Sequence, residues 1–214
     1  MNHRPGKKKM SIQWMTGTAM MIALTLVLVN TPLGLIRMPF LTATTLHIPV
    51  IIATLVLGVE AGLVIGVVFG LSSWLTNLTG ASFFAPFFVN PLVSILPRVI
   101  FPVCVYAIAQ VLDRLLARFS GRRLVVSVGA SALGTALHTV MVMGMIYLLY
   151  RGRIETLLVT GAGVPEAIAS RGVGAGITAL AVANGIPEMI VAAVIAPVVS
   201  LALNKAFGRI AVRK

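Results

Sequence analysis

Almost every charge in this chain lies between long apolar runs rather than inside them, and that segregation decides what it folds into. Six runs can be drawn, at about 12–29, 41–57, 63–78, 92–116, 124–150 and 173–203. Each is long enough, or nearly so, to cross ~30 Å of hydrocarbon at ~1.5 Å per residue. Charged residues make up 10% of the 214, against about 25% in soluble domains, and mean hydropathy is +1.03. The expected fold is all-α: a polytopic membrane protein of six transmembrane helices in one compact bundle. One transmembrane unit is expected over 1–214, with a basic segment at 1–10 and a connection at 151–172. No A-x-A-like site follows the first apolar run, so the basic start is read as leading into a retained helix rather than a signal peptide.

The charges that remain fix an orientation. Seventeen Lys and Arg face five Asp and Glu, a net charge of +12. With six spans, both termini share a side with the 58–62 turn and the 117–123 connection. That side carries twelve basic residues: Arg4, Lys7, Lys8, Lys9, Arg114, Arg118, Arg122, Arg123, Lys205, Arg209, Arg213 and Lys214. The other carries four, Arg37, Arg151, Arg153 and Arg171, and the intramembrane Arg98 completes the seventeen. A bias of this size predicts that both termini are cytoplasmic. It also accounts for the net charge without a nucleic-acid partner, which the low aromatic content does not favour.

Polar groups inside apolar runs are costly and point to function. Arg98 is expected near the outer end of the fourth span, where it either snorkels, pairs with Glu188 or meets an anionic ligand. Asn184 and Glu188 are four residues apart and so share a helix face. His138 follows Ser131 and Thr135 along one face of the fifth span. Asn77, Trp74 and Asn90 lie near outer helix ends, where ordinary interface roles also fit. Thr44 and Thr45 suit a helix cap, and His47, just before Pro49, fits the start of a helix without any chemistry. The polar groups gather in the outer half, while the inner half is apolar. That asymmetry describes a pocket open to the outside and closed below.

Several chemistries find no support. There is no G-x-x-x-x-G-K-[ST], so no P-loop ATPase motif of the chain's own. No His/Cys cluster suggests a metal centre, Cys104 is the single cysteine, and no catalytic residue or cofactor is assigned. In the first span Ala19 and Ala23 form a small-xxx-small pair, which lets another helix approach closely.

The chain resembles the substrate-binding S components of energy-coupling factor (ECF) transporters, in their vitamin-uptake class and most of all the pantothenate type. The stretches that carry the likeness are Thr44-Thr45-Leu46-His47-Ile48-Pro49-Val50-Ile51-Ile52, Phe69-Gly70-Leu71-Ser72-Ser73, Ser82 to Pro86, Leu96-Pro97-Arg98, Val142 to Tyr147, and Asn184-Gly185-Ile186-Pro187-Glu188. The chain departs from the pattern in lacking Gly-Pro at Gly58-Val59, and in carrying His138 where an asparagine is expected.

The resemblance implies a high-affinity subunit that binds a water-soluble vitamin from outside and leaves ATP hydrolysis to partners. Those partners are a transmembrane T component and two cytoplasmic ATPase subunits, in the plasma membrane of a prokaryote. It implies a substrate site drawn from Arg98, Asn184, Glu188, His138, Asn77, Trp74 and Thr44, and T-component docking at Ala19 and Ala23. The alternative is a solitary proton-coupled transporter with Glu188 as the carrier.

Overall fold

The computed structural model describes residues 12–37, 42–79, 85–160 and 172–206. The basic 1–10 segment and much of the 151–172 connection lie outside the described residues. Eight helices and one hairpin follow in chain order among the described residues. They are α1 (Ile12–Val29), β1 (Leu35–Arg37), β2 (Thr42–Thr44), α2 (His47–Val56), α3 (Val59–Thr79), α4 (Ala85–Phe88), α5 (Pro91–Ser94), α6 (Leu96–Leu115), α7 (Arg122–Thr160) and α8 (Gly172–Ala206). The strands pair antiparallel, with Leu35 opposite Thr44 and Arg37 opposite Thr42.

Among the described residues, five helical stretches are long and apolar enough to cross a membrane: Ile12–Val29, Val59–Thr79, Pro91–Leu115, Arg122–Ile154 and Gly174–Lys205. The second apolar run behaves differently. Its first part is strand, and its helix has only ten residues, about 15 Å at the usual rise. Nine of those ten are buried: His47, Ile48, Pro49, Val50, Ile51, Ile52, Ala53, Thr54 and Val56. A helix that is apolar all round is one that is packed all round. α2 touches α1, α3, α6, α7 and α8 and forms the centre of the bundle. The long helices turn large apolar side chains outward, among them Leu148, Val140 and Val198. So much exposed apolar surface requires a lipid environment.

The turns follow from local chemistry. Gly58 adopts φ 102°, the left-handed conformation that glycine tolerates, and its N–H donates to the Ala53 carbonyl at 3.1 Å. That closes α2 and turns the chain within one residue into α3, so the rest of the expected 58–62 turn lies inside α3. Asn90 caps α5 by accepting from the Leu92 N–H at 3.0 Å, with Pro91 at the first helical position. Pro97 sits in the first turn of α6. The α7 path breaks at Tyr150 (φ −130°, ψ 19°) and resumes as helix to Thr160, so part of the expected 151–172 connection is helical.

Pro102, inside α6, has no N–H to give to the carbonyl four residues earlier, which is that of Arg98. Gly66 of α3 faces this carbonyl, and a Cβ at Gly66 would lie 2.5 Å from its oxygen. α3 therefore approaches α6 at the residue that anchors the polar site. Gly66→Ala is expected to destabilise the protein by about 1–3 kcal/mol, the usual cost of overpacking. A lowered melting temperature in detergent, with weaker ligand binding because Arg98 is displaced, checks this. An unchanged melting temperature would show that α3 and α6 separate without cost.

Candidate substrate-binding site

Arg98 is the third residue of α6 and is 4% exposed. Its guanidinium lies over the Phe88 ring at 4.8 Å and the Phe69 ring at 5.5 Å. Nη1 donates to the Val93 carbonyl at 2.6 Å, while Nε is buried without a partner. The side chain is held inside the protein and does not snorkel. A guanidinium has five N–H donors in a planar fork, so an unspent edge of this one is available to an acceptor.

From Arg98 a line of rings runs to the other side of the bundle. Phe69 of α3 lies 6.1 Å from the His138 ring of α7, and Phe101 of α6 lies 4.9 Å from it. His47 of α2 stacks on His138 with centroids 6.5 Å apart and meets Phe101 edge-on at 6.5 Å. Both histidines are buried, with His138 Nε2 and both His47 nitrogens unpartnered. The His47 imidazole lies beside the backbone of Glu188 and Thr44, so the line ends on α8 and the hairpin.

There the Thr44 N–H donates to Glu188 Oε1 at 2.6 Å. Glu188 forms no direct ion pair with Arg98. Asn184 is one turn earlier on the same buried face of α8. Its Nδ2 donates to the Leu180 carbonyl at 3.2 Å, and its Oδ1 is buried without a partner. Between them Gly185 abuts Thr139 of α7, with a Cβ there only 3.1 Å from the threonine methyl. That close approach puts Asn184 and Glu188 against the helix that carries His138.

Arg98, His138, Asn184, Glu188 and Thr44 are therefore placed along one connected region. Trp74 and Asn77 are used differently: Trp74 Nε1 donates to the Val89 carbonyl at 2.8 Å, and Asn77 Nδ2 to the Ser73 carbonyl at 2.7 Å. Both donors fix the C-terminal end of α3, Trp74 by tying it to the segment that follows α4. Sequence reasoning missed His47. Its signal was a histidine at the head of an otherwise apolar run, which the following Pro49 made look like a simple helix start. Ala19 and Ala23 are both exposed on α1, while Thr18 and Thr25 face inward.

Burying a polar atom without a partner costs ~1–3 kcal/mol. Here six such atoms gather in one region: Arg98 Nε, His47 Nδ1 and Nε2, His138 Nε2, Asn184 Oδ1 and Thr44 Oγ1. Phenyl faces frame them. One cation, one carboxylate, two imidazoles and an amide oxygen in an apolar frame suit a small polar molecule carrying an anionic group and hydrogen-bonding groups.

No curated protein matches the chain. A family model described as ECF transporter, substrate-specific component, matches residues 13–200, which takes in all or most of each described helix and all of the site. Proteins of this family are multi-pass membrane subunits that bind the transported substrate, work with a T component and ATPases, and are not themselves ATPases. The chain belongs to the substrate-specific component family of ECF transporters.

Proposed function

We propose that this chain is the high-affinity binding subunit for import of a water-soluble vitamin, pantothenate, across the plasma membrane of a prokaryote. The observation that carries this reading is the buried Arg98 guanidinium with an unspent edge, set among unpartnered imidazole and amide atoms. In an apolar surround a carboxylate bonded to that fork gains more than it would in water. His138, His47 and Asn184 then meet the amide and hydroxyl groups of the substrate, with the Thr44 hydroxyl beside them. Phe69 and Phe101 supply apolar contact. Trp74 and Asn77 contribute by shaping the outer end of α3.

In this reading the chain crosses the membrane six times, α2 and the hairpin together forming the second crossing. Both termini are cytoplasmic, as the twelve-to-four distribution of Lys and Arg supports. Ala19 and Ala23 present a flat outward strip to the T component, and two cytoplasmic ATPases drive release. Glu188 serves the pocket and the hairpin rather than carrying protons, since its Oε1 is held by the Thr44 N–H.

Proteoliposomes holding this chain alone, without ATP, test the proposal. Labelled pantothenate should bind with one-to-one stoichiometry and not accumulate, and accumulation should begin when the T component, ATPases and ATP are added. Accumulation by the chain alone under a proton gradient would replace this reading with a proton-coupled carrier. Absence of pantothenate binding would leave the family assignment in place and remove the vitamin.

A further inference from the structure

The turn between α6 and α7 projects from the bundle. Gly62, Gly66 and Gly70 of α3 meet Pro102, Arg98 and Ile95 in turn. That antiparallel register puts the start of α3 opposite residue 105 or so, and α6 runs on for about ten residues, ~15 Å, past it. α7 accompanies this extension, since a Cβ at Gly129 would lie 2.7 Å from Leu112 Cδ1. The turn is held from within. Phe119 N–H donates to the Leu116 carbonyl at 2.9 Å, and Arg122 N–H to the Phe119 carbonyl at 3.2 Å. Arg122 Nε pairs with Asp113 Oδ1 at 3.5 Å, and its Nη1 donates to the Ala117 carbonyl at 3.4 Å.

That pairing uses up the local negative charge. Asp113 is the one acidic residue between Glu60 and Glu155. Arg114, Arg118 and Arg123 are exposed and form no ion pair among the described residues. An apolar side chain follows each of them in sequence, with Leu115 75% exposed, Phe119 55% and Leu124 52%. Val111, Arg114 and Leu115 fall within ~100° of one another round α6, so hydrocarbon and cation share a face. Water alone leaves Leu115 and Phe119 unsolvated, and hydrocarbon alone leaves three guanidinium groups so. A molecule with an anionic head and a hydrocarbon tail suits both.

We infer that the α6–α7 turn is a binding site for an anionic phospholipid, its phosphate held by Arg114, Arg118 and Arg123 and its acyl chains lying along Val111, Leu115 and Phe119. A guanidinium meets a phosphate through two parallel N–H bonds, and the internal bonds of the turn fix the three forks near one another before lipid arrives. The site shares no residue with the polar region around Arg98 or with the alanine pair on α1.

The test is native mass spectrometry of the full chain purified in micelles containing equal dioleoylphosphatidylglycerol and dioleoylphosphatidylcholine. The wild-type chain should retain phosphatidylglycerol in preference. Arg114→Gln with Arg118→Gln should lower that preference roughly tenfold or more, each basic residue near an anionic headgroup contributing about fivefold. Arg114→Lys with Arg118→Lys should keep the greater part. Arg151→Gln with Arg153→Gln removes the same charge at the far end of α7, about 40 Å away, and should change little. Leu115→Ser with Phe119→Ser should reduce retention of both lipids. Melting temperatures of the variants separate loss of the site from loss of the fold. Equal retention of the two lipids by the wild type, or an equal fall in the Arg151 and Arg153 control, would overturn the inference. Displacement of the lipid by excess inorganic phosphate would reassign the turn to small anions. An Arg114 and Arg118 glutamine variant that keeps its lipid preference but no longer pulls down the ATPase subunits would make the turn a protein-docking surface instead.

Discussion

Arg98→Ala is expected to weaken binding of a carboxylate-bearing vitamin by about 2–5 kcal/mol, the range for removing one partner of a buried, hydrogen-bonded charge pair. The size follows from the surroundings. Arg98 is buried between Phe69 and Phe88, and its charge is not spent on a direct ion pair with Glu188. The alanine variant leaves a bound carboxylate in an apolar frame without its cation. Arg98→Lys should recover part of the loss, because an ammonium replaces the charge but not the planar fork. Titration calorimetry on purified, folded variants reads the difference. Wild-type affinity in the alanine variant would leave Arg98 as a packing residue that locks α6 through Val93.

Transport by the assembled complex should be abolished when Ala19 and Ala23 are both replaced by tryptophan, although the isolated subunit should bind its substrate almost as before. Both alanines are exposed, on the outward side of α1, and neither touches the line of rings from Arg98 to His47. Two indoles there prevent another helix from approaching closely while leaving the inward-facing Thr18 and Thr25 in place. Uptake and pull-down of the T component should be lost together. Normal uptake by the double variant would place the docking surface elsewhere and make the alanines simple lipid-facing residues.

The long spans were legible because hydropathy over eighteen or more residues has one common solution in a bilayer. The run at 41–57 was not, since a short apolar stretch reads alike as strand or buried helix. The difference between them lay in tertiary contacts: Thr42 to Thr44 pair with Leu35 to Arg37, which leaves ten residues for α2 before the turn at Gly58. Periodicity placed Asn184 and Glu188 on one face, which the structure keeps. It offered no means to decide whether Glu188 answers Arg98 or a backbone N–H, because that choice depends on where a hairpin 144 residues away is folded. His47 was hidden for the same reason: its neighbours in space, Phe101 and His138, are distant in sequence.

The contact between Thr44 and Glu188 has a consequence for how this site tolerates change. Thr44 offers the carboxylate its main-chain amide, a group that every residue but proline possesses. The tie between the hairpin and the last helix is thus indifferent to the identity of residue 44 and dependent on that of residue 188. Drift at the first position, proline aside, is silent for this bond, whereas at the second any residue that brings no acceptor to the same place severs it. The hydroxyl of Thr44 is thereby left free to vary with the molecule being recognised, without loosening the frame that surrounds it.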